Sequence, residues 1–168
     1  LVEARLEQRI PVGYLVGKAW FAGHQFLCDP RALIPRSPIA ELIDSKFQPL
    51  LKRAPIRVLD LCAGGGCIGI SCALRFPGCH VDLAELCADA CALAAANVAL
   101  YKLSPRISVL RSDLFSALTE TYDLIISNPP YVSRQEIAAL PEVYGHEPEL
   151  GLLSEDGGLA LPLQILRE

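Results

Sequence analysis

The sequence predicts an α/β fold: a mostly parallel sheet with helices on both faces, preceded by a short β-hairpin. Two observations carry most of this. Between residues 57 and 127, short β-branched runs alternate with helical stretches. A glycine turn, Gly64-Gly65-Gly66, joins the first of those runs to an apolar helix. Strand–helix–strand connections are right-handed crossovers, which build parallel sheets covered on both sides.

The elements follow in order. Leu1 to Arg9 is charged, carries no signal-peptide pattern and reads as part of a helix. Residues 14–34 are rich in aromatic and β-branched types punctuated by Gly17 and Gly23, which predicts short strands or a hairpin. Pro35-Arg36-Ser37-Pro38 interrupts the chain. Ser37 is then a helix N-cap, Pro38 the first helical residue, and Glu41 lies in the first turn. That helix is expected to reach about Leu51, with Ile39, Leu42, Ile43, Phe47 and Leu50 on its apolar face. Arg57 to Leu61 is a buried strand, and an apolar helix runs from about Ile68 to Arg75. A strand over His80 to Leu86, an alanine-rich helix from Ala88 to Leu100, a strand over Ile107 to Arg111 and a fourth strand over residues 122–127 complete the pattern. The chain begins without Met and stops inside a helical stretch, so it reads as a fragment: residues 1–34 end an N-terminal region and residues 35–168 form an incomplete main domain.

Composition narrows the function classes. At 168 residues, 52% hydrophobic and 20% charged, the chain is too apolar for disorder and suits a single core. Its apolar runs are too short to span a bilayer. A net charge of -4 argues against broad electrostatic binding to nucleic acid. Seven cysteines, an odd number spread through apolar runs without a C-x-x-C pair, read as buried thiols of a reducing, cytoplasmic compartment; no metal site is expected.

Two constellations carry chemistry. The first is the strand–turn–helix Val58-Leu59-Asp60-Leu61-Cys62-Ala63-Gly64-Gly65-Gly66-Cys67-Ile68-Gly69. Such turns bring a ligand close to backbone and helix N–H groups. Asp60 beside the turn would repel a pyrophosphate, but it suits the cationic amino group of S-adenosylmethionine. Glu85, ending the second strand, can accept from both ribose hydroxyls. Asp113 and Leu114 follow the third strand and could flank the adenine. Taken alone, the glycines could form a tight turn in any α/β protein, and the acids could be solvated strand ends. Three acids on one sheet edge favour a cofactor pocket there, with Asp60, Cys62, Gly64, Gly66, Glu85, Asp113, Leu114 and Asn128 as its residues.

The second constellation is Asn128-Pro129-Pro130-Tyr131, ending the fourth strand on the same edge. The prolines stiffen the turn. The Asn128 side-chain carbonyl and the Pro129 main-chain carbonyl could hold the two hydrogens of an –NH₂ group, with Tyr131 stacking on its planar support. Amide nitrogens are poor nucleophiles, because their lone pair is delocalised. Holding both N–H groups favours pyramidalisation and stabilises the developing positive charge, so no strong base is required. Asn128, Pro129 and Tyr131 are the catalytic candidates, with Pro130 joining them against the substrate. The bland alternative is a rigid strand exit.

From about Ile10 to Leu166 these residues resemble the HemK-like glutamine N5-methyltransferases, within the Rossmann-like class I S-adenosylmethionine-dependent methyltransferases. Pro35-Arg36-Ser37-Pro38-Ile39-Ala40-Glu41-Leu42-Ile43, Asp60-Leu61-Cys62 with Cys67-Ile68, and His146-Glu147-Pro148-Glu149-Leu150 look most like the branch acting on large-subunit ribosomal protein three. The resemblance implies transfer of a methyl to a glutamine amide in a ribosomal protein, or less favourably a release factor. It also implies a catalytic domain over 35–168 truncated at its C-terminal strands. Neither a membrane nor nucleic acid is needed for that reaction. Departures stand at Ala63 and Gly65, where the family carries hydroxyls, at Glu85 for the commoner Asp, and at Ser154-Glu155-Asp156-Gly157-Gly158-Leu159, which scrambles a family loop.

The resemblance places Phe21, Phe26 and Arg36 over the site, although both phenylalanines read equally well as core residues. His146 and Glu147 are expected to be structural or part of a substrate loop, and no histidine is placed to activate a cysteine. An adenine-N6 DNA or RNA methyltransferase shares the Asn-Pro-Pro-Tyr logic, but it would need a basic face. An inactive cofactor-binding fragment is the non-enzymatic alternative.

Overall fold

The computed structural model describes residues 1–168. Two short helices, α1 (Val2–Leu6) and α2 (Val12–Val16), lead into β1 (Lys18–Phe21) and β2 (His24–Leu27), an antiparallel hairpin. Its two-residue loop puts Ala22 and Gly23 at positive φ (45° and 77°). That conformation matches the twist of the paired strands. Along β1 the side chains alternate, with Ala19 and Phe21 inward and Lys18 and Trp20 outward.

Helix α3 (Ile39–Asp44) is shorter than expected. Its N-cap is Pro38 and its first residue Ile39, one position later than expected, although the Ser37 hydroxyl does accept from the Ile39 N–H at 3.3 Å. The predicted continuation to Leu51 fails because Lys46 and Phe47 take positive φ (57° and 56°), which a right-handed helix cannot contain. The reversal turns Phe47 into the core beside Ile43 and leaves Leu42 and Leu50 exposed.

The alternating elements then fall close to their expected places: β3 (Arg57–Leu61), α4 (Cys67–Arg75), β4 (His80–Glu85), α5 (Ala88–Leu100), β5 (Ile107–Arg111) and β6 (Leu124–Ser127). The four strands pair in the order β5-β4-β3-β6, all parallel. Val58 joins the large core that also holds α4 and α5 residues, whereas Leu59 and Leu61 pack with Ala84 and Leu114 on the opposite face. β6 is an edge strand, and Ile125 on it is about half exposed (49%).

After β6 the chain forms α6 (Arg134–Ala139), a series of 3-10 turns, and α7 (Ala160–Arg167). A capping box fixes α6: the Ser133 hydroxyl accepts from the Glu136 N–H, and the Glu136 carboxylate accepts from the Ser133 N–H. Leu161 and Ile165 of α7 cover the face opposite α4 and α5, so helices lie on both sides of the sheet. No helix is long and apolar enough to cross a membrane.

Candidate active site

Both constellations open onto one cleft at the C-terminal edge of the parallel sheet. Its strand-end wall contains Cys62 to Gly65, Glu85, Asp113, Leu114 and Asn128 to Tyr131. This is where ligands bind in open α/β sheets, because crossovers leave a crevice beyond the strand ends.

The glycine turn is held from below and from the side. Gly66 caps α4 at φ 79°, and a Cβ there would press on the Leu83 side chain at 2.9 Å. Cys62 adopts φ 60°, an uncommon conformation for a residue with a side chain, and it lies in the cleft wall. Burial pushes its thiol up to about 12, so it is a protonated wall residue rather than a nucleophile. The Glu85 carboxylate accepts from the Gly64 N–H at 2.8 Å and from the Cys87 N–H at 2.9 Å, which ties the end of β4 to the turn.

Asp60 is not among the residues that line the cleft directly. Side chains alternate along β3, so Asp60 points with Val58 toward α4, while Leu61 and the turn form the cleft. Its carboxyl is fully buried, and one oxygen accepts from the Gly69 N–H at 2.8 Å. Burial, helped by the charge of Glu85 and opposed by that hydrogen bond, pushes it up to about 7. Asp60 braces the start of α4 behind the glycine turn through one oxygen, and its other oxygen is buried without a hydrogen-bond partner.

Asn128, Pro129, Pro130 and Tyr131 border the cleft together. The Ser127 hydroxyl donates to the Leu61 carbonyl at 2.7 Å, fixing the exit of β6 to β3. Beyond the turn, Val132 forms an isolated parallel bridge with Leu153. Gly158, at φ 90°, packs so closely that a Cβ would overlap the Tyr131 carbonyl oxygen. The rearranged loop at 154–159 therefore buttresses the Asn-Pro-Pro-Tyr turn. Tyr131 itself is mostly exposed (61%) and free to meet a planar group at the cleft mouth.

Several contributors escaped sequence reasoning. Asn97, buried inside the alanine-rich α5, accepts from the Leu27 N–H and donates to the carbonyls of Leu27 and Gly65, joining hairpin to turn. A buried amide needs such partners, so a lone Asn in an apolar helix was the available signal. Residues 31–37 and 148–152 supply the opposite wall. Glu147 links them, accepting from Arg36 at 2.7 and 3.1 Å and from the Ile34 N–H at 3.2 Å. His146 instead faces the Gln8 carbonyl at 2.7 Å. Phe21 borders the cleft, whereas Phe26 is wholly buried beside the Tyr101 ring.

Comparisons with known proteins agree with this fold. The chain is 51% identical, over its whole length, to a Ribosomal protein uL3 glutamine methyltransferase of Xanthomonas campestris pv. campestris, and spans about half (55%) of that relative. The fold matches the hMettl16 catalytic domain solved with a MAT2A 3'UTR hairpin, at a TM-score of 0.62 and 19% identity, covering 98% of this chain and 72% of that one. A T. Thermophilus 16S rRNA methyltransferase (RsmC), solved with AdoMet and guanosine, is similar over 70% of this chain and 33% of its own, at a TM-score of 0.54 and 25% identity. The pattern of the methyltransferase small domain matches residues 42–145, and the chain belongs to that family, with the class I methyltransferase fold.

Proposed function

We propose that this chain is the catalytic part of an S-adenosylmethionine-dependent enzyme that methylates a glutamine side-chain amide in ribosomal protein uL3. The observation that carries the reading is the shared cleft: the glycine turn with Glu85 faces it from β3 and β4, and Asn128 to Tyr131 face it from β6. The name carried by the relative at 51% identity supports the same substrate.

The residues fit the cofactor. Glu85 offers carboxylate oxygens at the strand end for ribose hydroxyls, and the Gly64 and Gly65 backbone leaves room for close approach. Asp113 and Leu114 border the apolar part suited to a planar base. The cofactor supplies an electrophilic methyl on a sulfonium. Asn128 and Pro129 present two carbonyl acceptors that would hold the amide hydrogens and aim the nitrogen lone pair into the cleft. Tyr131 packs against the amide plane, and the surplus proton leaves to solvent after transfer. Residues 1–34 belong to a preceding region and 35–168 to the catalytic domain. The protein works in the cytoplasm, on its protein substrate, without nucleic acid.

The test is mass spectrometry of uL3, of a release factor and of adenine-containing DNA, each incubated with the full-length enzyme and labelled cofactor. A single methyl on a glutamine of uL3 is expected. Labelled DNA, or no labelled protein, would overturn the reading.

A further inference from the structure

We propose that Glu147 is a positioning residue that fastens residues 31–37 as a strap across the cleft, and that this fastening sets how tightly the cofactor is held. The proposal rests on the reading of the cleft as an S-adenosylmethionine site.

Residues 33–36 form neither helix nor strand, and no backbone–backbone hydrogen bond involves them. Side chains alone hold this stretch in place. At its start, the Tyr14 hydroxyl donates to the Ala32 carbonyl at 2.8 Å. At its far side, Glu147 takes the Ile34 N–H and both terminal nitrogens of Arg36, more than a hundred residues away in sequence. The Glu147 side chain is only 2% exposed. A carboxylate is costly to bury, and it is retained where several charge-assisted hydrogen bonds replace its water. The Arg36 guanidinium also lies over the Tyr144 ring, 4.8 Å from its centre. Beside this clasp, Gly151 fits so closely against Leu33 that a Cβ would sit 2.8 Å from the Leu33 Cγ.

Ile34 and Arg36 border the cleft, as do Gly151 and Leu152 from the other side of the clasp. Opening the clasp would free the strap and uncover the ligand while leaving the strand ends and Asn128 where they are. Glu147 therefore acts on retention rather than on the transfer step.

The experiment compares full-length protein with Glu147→Gln and Arg36→Lys, measuring S-adenosylhomocysteine affinity by calorimetry together with KM for the cofactor and kcat. Glu147→Gln keeps the shape and an acceptor for Ile34 but loses the ion pair; its Kd and KM are expected to rise about tenfold with kcat within about twofold. Arg36→Lys should move in the same direction by less, since it keeps the charge without the fork. It also decides the matter if Glu147→Gln fails to fold. Arg134→Ala, which breaks exposed ion pairs to Glu149 and Glu155 on the same loop, is expected to leave Kd unchanged. Unchanged Kd in both clasp variants, or a fall in kcat at constant KM, would overturn the proposal while leaving the cofactor site standing. Failure of the unaltered protein to bind S-adenosylhomocysteine would remove both readings together.

Discussion

The two walls of the cleft are built by different physics. The strand-end wall is made of turns that leave a hydrogen-bonded parallel sheet, so the register of β3, β4 and β6 fixes where Gly64, Glu85 and Asn128 stand. The opposite wall has no sheet beneath it. Residues 32–36 are held by side chains reaching from Tyr14 and Glu147. Substitutions in the first wall should therefore remove chemistry or binding outright, and those in the second should tune affinity.

The largest effect is expected at Asn128. On the proposed mechanism Asn128→Ala removes one of two acceptors for the amide hydrogens, so methyl transfer should fall by roughly a hundred- to a thousandfold. S-adenosylhomocysteine affinity, read by calorimetry, should barely move. A comparable loss of cofactor binding would show that the two parts of this wall do not act separately.

Glu85→Ala comes next. It deletes the carboxylate that ties Gly64 to the end of β4. Cofactor affinity should weaken by roughly ten- to a hundredfold, since charge-assisted hydrogen bonds are lost on both the protein and the ligand side. An unchanged dissociation constant would take Glu85 out of the site.

Gly158→Ala probes the support behind the strand-end wall. Its Cβ would enter the space of the Tyr131 carbonyl, and the residue sits at positive φ. A loss of about 1–3 kcal/mol in urea unfolding is expected. Turnover should fall at the same time, because the displaced group is the exit of the amide clamp. Loss of stability with unchanged turnover would separate the buttress from the chemistry.

The last effect concerns pH. The Asp60 carboxyl titrates near 7 in the folded chain, against about 3.9 in an unfolded one. The folded state thus binds the proton more tightly, and this group's contribution to stability is complete below pH 4 and declines as pH rises toward 7. Asp60→Asn cannot titrate. Urea midpoints at pH 4.5 and 7.5 should show the variant gaining on the parent at the higher pH. A parallel pH dependence in the two proteins would mean that Asp60 is ionised while buried.

Much of the architecture was legible because it is local. Each of β3, β4, α5 and β5 is a continuous run whose composition and flanking turns name it, and their boundaries lie within a residue or so of expectation. The end of α3 was not legible. Leu42 and Leu50 continue a helical spacing, yet the chain reverses at Lys46 and Phe47 because Phe47 finds more burial in the core than on a continued helix. Asp60 shows the same limit at the site. Its place beside the glycines suggested the cleft surface, whereas strand alternation set its side chain behind the turn, against the Gly69 N–H.

The sequence by itself determined the parallel sheet, the glycine turn, the Asn-Pro-Pro-Tyr exit and their common edge, since alternation of strand and helix forces every strand end to one side. Only the tertiary structure decided which groups close the cleft. The Glu147–Arg36 clasp, the Asn97 bridge and the Gly158 buttress join residues distant in sequence. No local spacing encodes such contacts; they exist because buried polar groups must find partners and close-packed backbones leave no room for a side chain.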